Sequence, residues 1–228
     1  MFNPFLFGVR MAGESQIKSK ERVANHGEVF TAEREVNAML DLVKQETERI
    51  DSRFLEPACG TGNFLVKILE RKLDVVKKKY KRSPLDFEKN SILALSSIYG
   101  VDILQDNTEA CRERLFGIWN KAYKSVCKKD VDENAQKSAQ FILKKNIVCG
   151  NALSLKRVDG EGNDTSEPIV FSEWAFVMGA KMQRKDYTFD ELLNKASEAE
   201  SDPSLALNDE GHFLQQYVSD YRRVWENG

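Results

Sequence analysis

A chain of 228 residues with 41% hydrophobic and 31% charged positions can bury one sizeable core, so one domain with helical extensions is expected and a disordered tail is excluded. Its 34 basic and 36 acidic residues alternate along the chain, so the net charge of -2 argues neither for nor against nucleic acid, and a DNA partner would need a local basic face. Cys59, Cys111, Cys127 and Cys149 form no C-x-x-C pair and have only His26 and His212 to join them, which predicts no metal site. No apolar run approaches the ~18 residues that span a bilayer, and no basic flank precedes an apolar stretch at the start, so the chain reads as cytoplasmic with reduced thiols and no membrane partner.

In chain order, His26 to Thr31 reads as a loop with Thr31 as an N-cap. Val36, Met39, Leu40 and Val43 fall at offsets 0, 3, 4 and 7 and predict one helix over 32–49. Arg53 to Glu56 is a short buried strand ending in a Pro57 and glycine turn. The next helix starts near Asn63, buries Phe64, Leu65, Ile68, Leu69 and Val76, and frays in the lysine run before Pro84. A helix over 86–96, a strand over 97–103, a helix over 107–128 and a strand over 146–151 follow. Asp159 to Asp164 reads as a flexible loop, Ile169 to Phe171 as a further strand, and 188–199 and 209–225 as helices. Strands alternating with helices of ten or more residues predict an α/β fold with a mostly parallel sheet flanked by helices, because parallel strands need long connections.

The run Glu56-Pro57-Ala58-Cys59-Gly60-Thr61-Gly62-Asn63-Phe64 lies between a strand and a helix, where glycines let the chain turn tightly and a ligand approach the backbone. A G-x-G by itself also describes a plain strand-to-helix turn. Asp102, at the end of the next strand, strengthens the ligand reading, since ligands of doubly wound sheets lie across the carboxyl ends and a carboxylate there can accept ribose hydroxyls.

Over about residues 22 to 155 the chain resembles the DNA adenine-N6 methyltransferases of bacterial restriction-modification systems. Glu56 to Phe64 matches their (D/E)-P-A-C-G-(S/T)-G-x-F/L cofactor motif almost letter for letter. His26 to Glu33 resembles the preceding motif, with Ala32 where the family often has proline. The resemblance implies a Rossmann-like, S-adenosylmethionine-dependent fold in three parts: a helical segment 1–50 closing the pocket, a cofactor domain 51–175 and a C-terminal helical extension 176–228. It also implies that Thr31, Glu56, Pro57, Ala58, Cys59, Gly60, Gly62, Asn63 and Phe64 hold the cofactor, and that Asp102 binds its ribose. Ile103 would pack on its adenine, with Asn151 and Ala152 beside the adenine amino group. The family usually has aspartate at Asn151; an amide keeps an acceptor but brings the hydrogen bond toward the neutral range of ~1 kcal/mol.

The family's catalytic Asn/Asp-Pro-Pro-Tyr/Phe is absent: no two prolines are adjacent, although 77 residues follow Asn151. In the family its acceptors draw the target amine's lone pair out of conjugation while the aromatic ring stacks on a flipped base. Asn3-Pro4-Phe5 is one substitute candidate, and Glu173 with Trp174 another, against the plainer reading of a core tryptophan beside a solvated glutamate. Lys181 to Tyr187, and Lys77 to Lys79 with Lys81 and Arg82, are weighed as phosphate contacts but read first as solvated surface. The expected function is methylation of DNA adenine with a partner chain supplying recognition. The rival is a non-catalytic S-adenosylmethionine-binding or regulatory subunit that has lost the base pocket.

Overall fold

The computed structural model describes residues 31–194 and 213–228. The expected helix over 32–49 is two pieces, α1 (Glu33–Asp41) and α2 (Lys44–Thr47). Only Val36 and Leu40 of α1 are buried, while Met39, Leu42 and Val43 stay exposed, so no packing carries the helix past Asp41. Its N-cap is Ala32 rather than Thr31: the Ala32 carbonyl accepts from the Glu35 and Val36 N–H groups, and no side chain caps the turn.

Strands β1 (Phe54–Glu56), β2 (Ile98–Asp102) and β3 (Ile147–Cys149) form a parallel sheet in that order. Two helices make each crossover. Helices α3 (Asn63–Tyr80) and α4 (Pro84–Ser96) join β1 to β2, and α5 (Gln105–Cys127) and α6 (Glu133–Asn146) join β2 to β3. Register is regular, Glu56 lying beside Gly100 and Asp102 beside Cys149, so all three strands end at one edge. Pro84 is tolerated at the first position of α4 because that N–H has no helical partner, and Ser83 caps the turn by accepting from Asp86 N–H. Asp132 caps α6 by accepting from Asn134 N–H at 2.7 Å.

The buried stripe of α3 is Leu65, Ile68, Leu69, Lys72, Leu73 and Val76, one helical face with a lysine inside it. The Lys72 ammonium donates to the carbonyls of Ile50 and Ser52 and to Ser97 Oγ, so its three N–H groups tie the entry to β1 to the start of β2. A second buried charge, Glu88 of α4, accepts from the hydroxyls of Tyr123 and Tyr221 and from Arg222 Nε at 2.6 Å. These contacts seat the C-terminal 3-10 turn, Tyr221–Asn227, on the helices.

The C-terminal part departs from the helical extension expected over 176–228. β6 (Val170–Met178), β7 (Lys181–Thr188) and β8 (Gln215–Asp220) form an antiparallel sheet with β7 in the middle. β6 runs through the expected boundary at 175, and Trp174, Met182, Tyr221 and Val224 share one core with α3 to α6. The reading of Lys181 to Tyr187 as solvated surface fails because β7 hides its polar residues. Arg184 and Asp186 pair at 3.1 Å in the interior, and Ser172 Oγ donates to Asp186 at 2.6 Å. Lys181 to Tyr187 is thus a central strand and not a phosphate-contacting loop. The helix expected from Thr188 does begin there, with Thr188 and Glu191 capping each other reciprocally. The loop expected at 159–164 is the turn between β4 (Lys156–Val158) and β5 (Asp164–Pro168); Asp159 accepts from Glu161 and Asn163 N–H at 2.9 Å each. Among the described residues no helix is long and apolar enough to cross a membrane, and no group of three or more His, Cys, Asp or Glu could hold a metal.

Burial pushes the Lys72 ammonium down to about 7. The unfolded chain holds that proton to about 10.4, so it binds more protons than the folded one, and stability rises with pH from 7 to about 8.5. Above about 8.5 the trend reverses, because Cys59, Cys127 and Cys149 are pushed up in the fold while the unfolded thiols ionise. Urea midpoints should therefore peak between pH 8 and 9, and Lys72→Met should flatten the rising limb.

Candidate functional site

β1 ends at Glu56 and the chain turns through Pro57 to Gly62 into α3. Gly60 and Gly62 hold φ of +51° and +86°, left-handed conformations that L side chains resist. A Cβ on Gly62 would lie 2.6 Å from Cys111 Sγ of α5, whereas one on Gly60 would meet none of the described residues within 4 Å. Gly62 is thus needed for both conformation and close packing, and among the described residues nothing crowds Gly60. Three backbone N–H groups set its shape: Cys59 donates to Val101 C=O, Gly60 to Asp102 Oδ2 and Gly62 to Cys59 C=O, each at 2.8 Å.

Asp102 is the hub of this edge. Its Oδ1 also accepts from Leu104 N–H at 2.9 Å and from Asn107 Nδ2 at 3.1 Å, while its carbonyl accepts from Gly150 N–H at 2.9 Å. A carboxylate has about four acceptor sites and three are used, which leaves one on Oδ2. Ile103 and Ala152 are half-buried; Cys149 donates its thiol to the Ile103 carbonyl, and Ala152 packs against the cluster that includes Val101, Val148 and Ile169. The structure therefore gathers the ends of all three strands, the glycine loop and the turn after β3.

Asn151 uses its amide locally. Its Oδ1 accepts from Leu153 and Ser154 N–H at 3.0 and 3.4 Å, and its Nδ2 donates to Asp164 of β5 at 3.0 Å. Glu56 is half-buried, and that burial pushes its carboxyl up. Pro57 and Ala58 are exposed, Asn63 and Phe64 half-buried, and Thr31 half-buried ahead of α1. The Cys59 thiol is pushed up by its hydrogen bond with Cys111 and by burial, so this pair is packing rather than nucleophile.

Glu173 and Trp174 are not brought to this edge. Trp174 is buried and donates to Asn146 Oδ1 at 2.9 Å, and Asn146 in turn donates to the carbonyls of Ser96 and Ile98 where β2 begins. Glu173 pairs with Arg53, ahead of β1. Both therefore sit at the opposite ends of the strands from the glycine loop. Asn3, like His26, lies outside the described residues.

Two supporting residues escaped the sequence reading. Asn107 holds Asp102, and Arg114 of α5 points Nη1 at Thr61 C=O (2.7 Å), Thr61 Oγ1 (3.1 Å) and Asn63 Oδ1 (2.9 Å). Both follow Asp102 on the next helix, at offsets of 5 and 12, and no motif marks them. Helical geometry offers a partial signal for Arg114, which lies three residues from Cys111 and so near its face.

The family model described as "MmeI, DNA-methyltransferase domain" matches residues 30–198. A protein of Methanocaldococcus jannaschii, named as a type II restriction enzyme and methyltransferase, is 32% identical over 107 residues. That match covers 44% of this chain and 8% of the relative, so the chain spans a small part of the relative's length. No solved structure matches the chain.

Two substitutions test the loop. Gly62→Ala should destabilise the fold by roughly 1–3 kcal/mol, from left-handed strain and contact with Cys111, read as a lowered urea midpoint. Arg114 is exposed, so Arg114→Ala should change global stability by under about 0.5 kcal/mol. It should nevertheless speed amide hydrogen exchange at Thr61 to Asn63, where the loop loses its clamp.

Proposed function

From the premise that this chain belongs to the family of MmeI DNA-methyltransferase domains, we propose that it is the cofactor-binding part of an S-adenosylmethionine-dependent DNA adenine-N6 methyltransferase of a restriction-modification system. The observation that carries this reading is the Gly60 N–H to Asp102 Oδ2 contact at 2.8 Å, which joins the two sequence elements of the cofactor motif at one edge. The parallel order β1-β2-β3, with all carboxyl ends together, supports a Rossmann-like cofactor unit within the proposed domain 51–175.

The residues fit an adenosyl group with an amino-acid tail. With none of the described residues crowding Gly60, a ligand can approach the main chain, and the remaining acceptor site on Asp102 suits a ribose hydroxyl. Glu56 offers a carboxylate in reach of the loop for an ammonium group. Thr31, Pro57 to Cys59, Asn63 and Phe64 complete the proposed walls, and Ile103, Asn151 and Ala152 the proposed adenine side. For Asn151 to bond the adenine amino group, its Oδ1 must share its bonds with Leu153 and Ser154 N–H. When bound, S-adenosylmethionine supplies an electrophilic methyl group that an exocyclic amine can take in a direct displacement. Binding, orientation of the ribose and a tight backbone approach are what this chain contributes.

A second reading is favoured by one observation: the five prolines are nowhere adjacent, and Glu173 and Trp174 lie at the far ends of the strands. On that reading the chain binds cofactor, and another polypeptide supplies the acceptors and the stacking ring for the flipped adenine, or the chain is a regulatory subunit.

Calorimetry with S-adenosylhomocysteine should show one site, and Asp102→Ala should weaken it at least tenfold, about 1.4 kcal/mol or more. Labelled methyl transfer to unmethylated DNA, followed by nucleoside analysis, should yield N6-methyladenine if the chain is complete in its catalysis. Binding without transfer would support the partner-dependent reading, and no binding at all would refute the proposal.

A further inference from the structure

The helices that begin at the glycine loop and after Asp102 both end at the opposite pole of the domain, and their ends are basic. The last turn of α3 exposes Lys77, Lys78 and Lys79, followed by exposed Lys81 and Arg82. The end of α5 adds exposed Lys124, and the 3-10 turn after it adds exposed Lys128 and Lys129. Among the described residues none of these eight cations forms an ion pair. Lysines at helix C-termini are often explained by the helix dipole, but two C-termini supply only about half a negative charge each. Exposed Asp74, Asp86, Asp130 and Glu133 are the acids nearby in sequence, which leaves a surplus of about three positive charges. The chain as a whole carries -2, so this surplus is local and not a consequence of a basic protein.

The two helix ends meet in a groove of about 510 Å³ lined by Lys81, Ser125, Lys128 and Lys129, with Pro84, Cys127 and, as the one acid among the described residues, Asp130 also in its wall. The Cys127 thiol reaches the Pro84 carbonyl at 3.5 Å and joins its two sides. Lys128 sits at φ 49°, ψ -108°, a conformation a non-glycine residue holds only where its surroundings enforce it.

We propose that this pole is a second nucleic-acid contact, which takes phosphodiester backbone in the Lys81–Lys128–Lys129 groove. Among the described residues no aromatic side chain lines the groove to offer a base a stacking surface, and ammonium groups on flexible stems suit phosphates rather than base edges. α3 has 18 residues and so spans ~27 Å, which separates this contact from the segment offered to the glycine loop. The inference rests on the reading that the domain acts on DNA and extends it to a surface remote from the cofactor.

The test is fluorescence anisotropy of a short duplex with the purified chain across a salt series, comparing wild type with the triple variant K81E/K128E/K129E. We expect at least a tenfold loss of affinity at low salt and a salt slope shallower by about 2 to 3, with the chain still folding cooperatively at a urea midpoint lowered by the acids placed at two helix C-termini. S-adenosylhomocysteine affinity in the same variant should stay at the wild-type value, which separates this surface from the cofactor pocket. Unchanged DNA affinity and slope, or no DNA binding by the wild-type chain, would overturn the proposal. So would poly-glutamate competing as well as duplex of equal charge, since the surface would then fit an acidic protein.

Discussion

The Asp102 carboxylate accepts from the glycine loop through Gly60 N–H and from its own following turn through Leu104 N–H and Asn107. Its main chain also accepts from Gly150 after β3. The edge on which any ligand would sit depends on these bonds, because β1 and β3 are only three residues each and have little ladder of their own. Charge-assisted bonds to backbone N–H groups are stronger than neutral ones, so one carboxylate can set the loop that a longer sheet would otherwise hold.

The opposite half of the fold is held by buried charge of another kind. Lys72 ties the entry to β1 to the start of β2, and Glu88 collects two tyrosine hydroxyls and Arg222. Such groups lose hydration when buried and are tolerated because almost every donor and acceptor finds a partner. Glu88 also explains how the C-terminal 3-10 turn joins the core. Tyr221 and Val224 pack on the helices while Arg222 bridges Glu88 and Asp132.

These two arrangements give the domain distinct poles. The carboxyl edge of the sheet is built from glycines, a carboxylate and backbone N–H groups, which suits a compact polar ligand. The far pole is built from helix ends and unpaired lysines, which suits extended anionic chains. The antiparallel sheet β6-β7-β8 belongs to the same core but joins neither pole's chemistry, and it takes Glu173 and Trp174 out of reach of the glycine loop.

The local patterns were legible in the sequence by itself: the α/β alternation, the turn Glu56 to Phe64 entering α3, and Asp102 at a strand end. These depend on contacts a few residues apart, on glycine's freedom at positive φ, and on helical spacing such as Leu65, Ile68, Leu69 and Val76. What only the tertiary structure decided involves partners far apart in the chain. Arg114 clamps a loop some fifty residues earlier, and Glu88 meets Tyr221 and Arg222 more than 130 residues later. β7 reads as surface because its Arg184 and Asp186 are charged, yet they are buried by pairing with each other and with neighbours on β6 and β8. Pairing of buried charges is a property of two positions together, and a single sequence shows each position alone.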